Sequence, residues 1–235
     1  MSKTTYKSDN VRTIAAVGVF SALAYICCVL FHFKLMFLTF DLKDAVMTVG
    51  AMLLGPIYGL AMAVIVALIE AVTISGTGIY GFIMNIIASC AFVCIGSLIY
   101  SRKRTMGGAV IGMLASIIGM TAVMMVANLT ITPFYMGTTI DKIVEMIPTV
   151  LMPFNLTKAI FNASLVFLLY KPLSGALKAA GFFSHVKGSP AESSMIPDKK
   201  KNYTVNLAVT LISIVIAVLT LVYFFLVLEG SFSFN

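Results

Sequence analysis

The segment from residue 34 to residue 56 reads KLMFLTFDLKDAVMTVGAMLLGP, and it distinguishes this chain from a simple bundle of spanning helices. Residues 34–44 mix apolar side chains with four charges, and the apolar run at residues 45–55 is short. Eleven helical residues rise about 16 Å, half the thickness of a bilayer's hydrocarbon core. We therefore expect a short helix that cannot span alone. The loop before it should dip toward the membrane from outside and line a cavity, because irregular backbone at that depth needs a cover of protein or water.

Longer apolar runs lie on both sides of this segment. Hydrophobic residues make up 60% of the 235 residues and charged residues 11%, a composition that excludes an ordinary soluble protein. Together with the short helix, the long runs predict an all-α integral membrane protein with a six-helix transmembrane bundle in residues 1–173. The runs that approach the roughly 20 apolar residues needed to span are residues 13–33, 57–74, 80–100, 107–131 and 150–170.

The remaining part of the chain divides in two. Residues 174–202 are polar and contain Gly188, Pro190 and three consecutive lysines, which predicts a cytoplasmic linker. Residues 203–228 are apolar and long enough to cross the membrane once more. We expect residues 203–235 to form an additional C-terminal transmembrane helix.

Lysine and arginine residues predict the orientation in the cytoplasmic membrane. With the N-terminus inside, twelve of them fall in inner segments and three, Lys34, Lys43 and Lys142, in outer ones. Because positive residues are retained on the cytoplasmic side, this favours a cytoplasmic N-terminus and an extracellular C-terminus.

Polar side chains in the predicted spans gather toward the outer end of the bundle. An ionisable group at the membrane centre costs about 2.5–3.5 kcal/mol on insertion scales, so each of them calls for a partner or a function. Their positions predict a cup that is open to the outside. These residues are Asp41, Asp44, Glu70, Asn85, Asn128, Asn155 and Lys158.

Asn155 and Lys158 are three residues apart and share one helix face. An amide and an ammonium group suit a ligand with adjacent carbonyl and N–H groups. Simpler interpretations remain open. Lys158 can extend to the surface or pair with Glu70, Asn128 can hydrogen-bond between helices, and Glu70 can be a solvated carboxylate.

Aromatic residues surround the same rim. Most of them fit an interfacial belt, and the others could stack on a flat ligand. They are Phe37, Phe40, Phe82, Phe134, Tyr135 and Phe154.

Several functions are disfavoured by missing motifs. The sequence has no G-x-x-x-x-G-K-[ST], H-E-x-x-H or G-x-S-x-G motif, and its four cysteines lie in apolar runs. We expect neither an enzyme nor a metal or cofactor site, and no nucleic-acid partner. No inverted repeat is evident, so any uphill transport would need an external source of energy.

The first helix carries a small-residue motif, Gly18-x-x-x-Ala22. Small residues let a second helix backbone approach closely, either from a partner protein or from the same bundle.

Several motifs together resemble the riboflavin-binding S components of energy-coupling factor (ECF) transporters, the RibU family. The resemblance covers about residues 12–173, and its most specific part is Pro153-Phe154-Asn155-Leu156-Thr157-Lys158. The other matching parts are FLTFDLKD at residues 37–44, GPIYG at 55–59, NIIAS at 85–89 and Asn128 with PFY at 133–135.

The resemblance implies a subunit that captures riboflavin from outside and works with a transmembrane coupling protein and two cytoplasmic ATPases. It implies docking of the coupling protein on Gly18 and Ala22. The implied ligand-binding residues are Leu38, Thr39, Phe40 and Asp41 in the closing loop, with Asn128, Asn155 and Lys158 in the bundle. From the polar cup we add Glu70 and Asn85 as further candidates for ligand binding. Alternatives are an S component for another flat heterocyclic vitamin, an intramembrane enzyme or a structural membrane protein. The seventh helix has no counterpart in the family's six-helix pattern.

Overall fold

The computed structural model describes residues 2–31, 33–74, 76–179 and 201–232. These parts are mostly helical and include a small sheet. The helices are α1 (Ser2–Leu30), α2 (Lys43–Leu54), α3 (Pro56–Thr73), α4 (Gly78–Arg102), α5 (Met106–Met136), α6 (Ile140–Met146), α7 (Met152–Ala179) and α8 (Lys201–Leu226). A π-helical turn, Ile147–Leu151, joins α6 to α7, and the strands are β1 (Phe33–Leu35), β2 (Leu38–Phe40) and β3 (Ser231–Phe232).

Six segments of the described chain are long and apolar enough to cross a membrane. They are Val11–Leu30, Pro56–Thr73, Gly78–Arg102, Met106–Met136, Ile140–Ala176 and Leu207–Leu226. Helix α2 is not among them, as its length predicted.

Helix α2 lies inside the bundle rather than along its surface. Of its residues, only Leu54 is not fully buried, and the helix packs against α1, α3, α4 and α7. Gly50 allows a close approach, because a Cβ there would lie 2.9 Å from side-chain atoms of Phe20 and Met62. After α2 the chain reverses at Gly55, whose φ of +122° favours glycine, and Pro56 opens α3. The short helix is thus covered by protein on all sides.

Helices α4 and α5 share an extensive contact. A Cβ on Gly112 would lie 2.9 Å from the backbone carbonyl oxygen of Gly96. Neither backbone can relieve such a contact by a change of rotamer. Glycine at position 112 therefore sets the spacing of these two helices.

Several predicted helix boundaries were wrong. Helix α1 ends at Leu30 rather than at Phe33, because Phe33 pairs with Phe40 in a β-hairpin. Helix α5 continues through Pro133 to Met136 and ends where Gly137 adopts a φ of +60°. The sixth predicted helix, residues 150–170, corresponds to α7, which begins at Met152 and ends at Ala179. The π-helical turn that contains Pro148 separates it from the short helix α6.

The C-terminal helix α8 packs along α7. Strand β3, which follows α8, pairs antiparallel with β1, so the small sheet has the order β2-β1-β3. Of the predicted linker, residues 174–179 belong to α7 and residues 201–202 to α8, and residues 180–200 lie outside the described parts of the chain.

We predict that Gly112→Ala lowers the free energy of unfolding by about 1–3 kcal/mol, because the new methyl group overlaps a backbone oxygen. The matched control is Gly107→Ala, five residues earlier in the same helix, where the nearest atom lies 3.9 Å from the new Cβ. Thermal unfolding of both variants in detergent measures the difference. A melting temperature for Gly112→Ala equal to that of the control would contradict the close contact.

Candidate functional site

A cavity of about 350 Å³ lies under the hairpin, at the end of the bundle where α3 and α5 end and α4 and α7 begin. Its volume falls within the range of small-molecule sites, about 300–1,000 Å³. Polar side chains from α3, α4, α5 and α7 reach it, Lys34, Thr39 and Thr77 add polar groups from the hairpin and from the turn before α4, and much of the remaining wall is aromatic or aliphatic. The aromatic wall consists of Phe37, Tyr80, Tyr135 and Phe154, and Ala88, Met120 and Met124 add an aliphatic surface.

The hairpin forms one wall of this cavity. Strands β1 and β2 pair Phe33 with Phe40 and Leu35 with Leu38, and Met36 takes a left-handed φ of +53° in the turn. The four paired side chains are buried, while the alternate residue Thr39 is half-buried and lines the cavity. The loop expected from the sequence is therefore a regular hairpin, with an apolar face that anchors it.

Lys158 on α7 attaches this hairpin to the bundle. Its Nζ donates to the carbonyl oxygen of Thr39 at 3.0 Å and to Oδ2 of Asp41 at 2.9 Å. Asp41 is fully buried and Lys158 is 5% exposed. A charge-assisted hydrogen bond in such a setting is stronger than one between neutral groups.

A second lysine connects the hairpin to α3. Lys43 forms a salt bridge with Glu70, and its Nζ lies 3.5 Å from Oδ2 of Asp41. Glu70 also accepts a hydrogen bond from Nδ2 of Asn85 at 2.6 Å. The Asp41 carboxylate is thus shared by two ammonium groups that belong to different parts of the fold.

Asn162, one turn beyond Lys158, holds the start of α2. Its Nδ2 donates to the carbonyl oxygen of Asp41 at 2.9 Å, and its Oδ1 accepts from the backbone N–H of Ala45 at 2.9 Å. Asp44 accepts from the Ser89 hydroxyl at 2.6 Å. Helix α2 lacks a side-chain cap of its own, so Asn162 supplies a partner for one of its first N–H groups.

Six of the nine predicted ligand-binding residues line the cavity. They are Leu38, Thr39, Glu70, Asn85, Asn155 and Lys158. Phe40, Asp41 and Asn128 do not line it. Phe40 packs on Phe161 with ring centroids 5.0 Å apart, and Asp41 lies beneath Lys158.

The two predicted asparagines differ in their surroundings. Asn128 is fully buried, donates to the carbonyl oxygen of Met124 and accepts from the Thr132 hydroxyl, so both ends of its amide are bonded within α5. Nδ2 of Asn155 donates to the carbonyl oxygen of Leu151 at 2.7 Å. The Oδ1 atom of Asn155 accepts no hydrogen bond from the described residues and is available to a ligand.

The sequence interpretation missed Lys43 and Asn162. Lys43 is flanked by acidic residues at positions 41 and 44, which indicates a charged cluster. Asn162 lies four residues after Lys158 and seven after Asn155, a spacing that places all three on one helix face.

One group of acidic and thiol side chains has a spacing that could suit a metal ion. Ligand atoms of Cys28, Asp41 and Glu70 lie within 4.8 Å of one another. The Lys43 ammonium lies between these carboxylates and pairs with both of them. The cluster is therefore best described as an ion-pair network.

Residues 12–173 match the family model described as ECF transporter, substrate-specific component. The chain belongs to this family. Its members are substrate-binding components of transporters rather than enzymes, and the apolar helices agree with a protein that crosses the membrane several times.

Two similar proteins extend this comparison. The riboflavin transporter RibU of Staphylococcus aureus (strain TCH60) is 24% identical over 176 residues, which cover 71% of this chain and 93% of the relative. A solved S component of a bacterial ECF transporter has a TM-score of 0.62 and 24% identity, covering 72% of this chain and 99% of that chain. This likeness shows the fold of the six-helix unit. The additional helix at the C-terminus lies beyond the residues that the family model matches.

We predict that Lys43→Ala lowers the free energy of unfolding by about 3–5 kcal/mol, because the buried Asp41 and Glu70 carboxylates lose their shared ammonium group. The control is Lys142→Ala, at an exposed position of α6, with an expected effect within about 0.5 kcal/mol.

A double variant tests the cause of this loss. Adding Glu70→Gln to Lys43→Ala removes one uncompensated charge and should recover part of the stability. Unfolding curves in detergent measure all three proteins. Equal curves for Lys43→Ala and Lys142→Ala would contradict the network.

Proposed function

We propose that this chain is the substrate-binding component of an ECF-type uptake transporter and that it captures riboflavin from outside the cell. The observation that carries the proposal is the cavity under the hairpin, which combines aromatic walls with Asn85, Asn155 and Lys158. The similarity to a riboflavin transporter along most of the matched region supports the choice of ligand.

The chemistry of riboflavin fits these walls. Its isoalloxazine ring is flat and largely apolar, and it carries a carbonyl and imide edge. Oδ1 of Asn155 can accept from the imide N–H, and the Lys158 ammonium has a third hydrogen to donate to a carbonyl beyond the two that it gives to the hairpin. The ribityl hydroxyl groups suit the polar group formed by Glu70 and Asn85. Riboflavin carries no phosphate, so the site needs no basic cradle.

The proposed orientation places the cavity on the extracellular side. It follows from the excess of lysine and arginine in the predicted inner segments. The N-terminus is then cytoplasmic, and an extracellular C-terminus agrees with the pairing of β3 with β1, the strand whose Lys34 lines the cavity. In this division residues 1–173 form the substrate-binding domain and 203–235 the additional spanning segment. The proposed cytoplasmic linker, residues 174–202, includes the end of α7 and the first two residues of α8.

Import would be powered by partner proteins. A transmembrane coupling protein with two cytoplasmic ATPases would supply the energy, and the exposed side of α1 would receive the coupling protein. Gly18 and Ala22 are exposed there, and no atom lies within 4 Å of the position of a Cβ on Gly18. Small residues at such a face permit close helix contact.

The direct test is a titration of riboflavin, whose fluorescence is quenched on binding, with the purified protein. We expect Asn155→Ala to raise the dissociation constant about tenfold, the cost of one good hydrogen bond. Thr157→Ala is a matched control, because Thr157 also bonds a carbonyl oxygen four residues earlier in α7 but does not line the cavity.

The outcomes separate the possible functions. Binding that is weakened by Asn155→Ala and unchanged by Thr157→Ala supports capture at this cavity. Absence of quenching by the unaltered protein contradicts riboflavin as the ligand, and competition with other flat heterocyclic vitamins then identifies a different substrate. Equal effects of the two substitutions would contradict the assigned site.

A further inference from the structure

The C-terminal helix makes specific contacts with the hairpin that covers the cavity. Phe224 of α8 is fully buried, although most of its neighbours on α8 are exposed. Its ring centroid lies 4.5 Å from that of Phe40 and 6.2 Å from that of Phe33. Phe40 and Phe33 face each other across β1 and β2, so Phe224 packs against both strands of the hairpin.

Phe224 also reaches the cavity wall indirectly. Its ring centroid lies 6.4 Å from that of Phe154, which lines the cavity and follows directly on Pro153 at the start of α7. Phe40 follows Thr39, whose carbonyl oxygen is held by Lys158. One buried side chain of α8 therefore supports two walls of the same site.

The backbone after α8 makes a second contact with the hairpin. Glu229 adopts a left-handed φ of +56°, and the N–H of Gly230 donates to the carbonyl oxygen of Phe224 at 3.1 Å. This turn directs β3 back to β1, where Phe232 pairs with Phe33 and Ser231 with Lys34. Strand β1 is thus flanked on both sides, and the edge opposite β2 is covered.

We propose that α8 and β3 stabilise the hairpin that covers the substrate site. Phe224 is a positioning residue that holds the hairpin over the cavity and thereby slows the release of bound substrate. This proposal rests on the proposed capture function. It assigns a role to a segment that lies beyond residues 12–173, the region that the family model matches. Lys158 and Asp41 hold the inner end of the hairpin, and α8 with β3 holds its outer edge.

The first experiment measures substrate release. Riboflavin dissociation from the purified full chain is followed by recovery of fluorescence in stopped flow. Phe224→Ala is expected to raise the dissociation rate about tenfold with little change in the association rate, because changes within one interface act mainly on dissociation. Leu226→Ala, at a position that is 76% exposed on the same helix, is the control with an expected unchanged rate. Phe224→Leu, which keeps an apolar side chain, should restore most of the slow release.

The second experiment does not depend on the ligand. A chain that ends at Glu229 lacks β3, and hydrogen–deuterium exchange is compared with that of the full chain. We expect faster exchange at residues 33–35 and unchanged exchange in α2, which the truncation does not touch. General unfolding would raise exchange in both segments, so this comparison isolates the hairpin.

The results distinguish this proposal from the proposed function. If the full chain does not bind riboflavin, the capture function fails, and the exchange experiment still tests the contact between β3 and the hairpin. If the full chain binds riboflavin, an unchanged dissociation rate in Phe224→Ala overturns the positioning role. Unchanged exchange at residues 33–35 in the truncated chain overturns the role of β3.

Discussion

The carboxylate of Asp41 is the group on which the architecture of the site depends. It is fully buried and contacts the ammonium groups of Lys158 and Lys43, which come from α7 and from the start of α2. A lone charge at this depth would be unfavourable by several kcal/mol, and each lysine would carry a similar cost without the carboxylate. The three groups therefore have to be buried together. Their joint burial brings the hairpin, α2 and α7 to one point.

This constraint explains why a helix too short to span can lie inside a membrane bundle. At its start, Glu70 neutralises Lys43 and the Ser89 hydroxyl donates to Asp44. The side chain of Asn162 accepts a hydrogen bond from the N–H of Ala45. The rest of α2 is apolar and covered by neighbouring helices. The buried charges at the start of α2 also fix the end of the hairpin, and the hairpin forms one wall of the cavity.

The sequence was sufficient for some of these features. The length of α2, the break at Gly55 and the common face of Asn155 and Lys158 follow from local pattern, and all were predicted. The partner of Lys158 was not, because Asp41 is 117 positions away along the chain and Glu70 was an equally reasonable partner. The end of α1 was misplaced because Phe33 continues an apolar run. Phe33 belongs to a strand because it pairs with Phe40 and with Phe232, which is distant in the sequence. In the same way, the sequence alone does not distinguish Phe224 from the lipid-facing residues around it.

The most direct test of the account is a structure of the protein determined with riboflavin bound. We expect the isoalloxazine ring between the hairpin and α7, with its imide edge near Asn155 and Lys158. The contact between Asp41 and Lys158 should be retained in this bound state. A flavin found outside this cavity, or a bound state in which the Asp41–Lys158 contact is absent, would contradict the account.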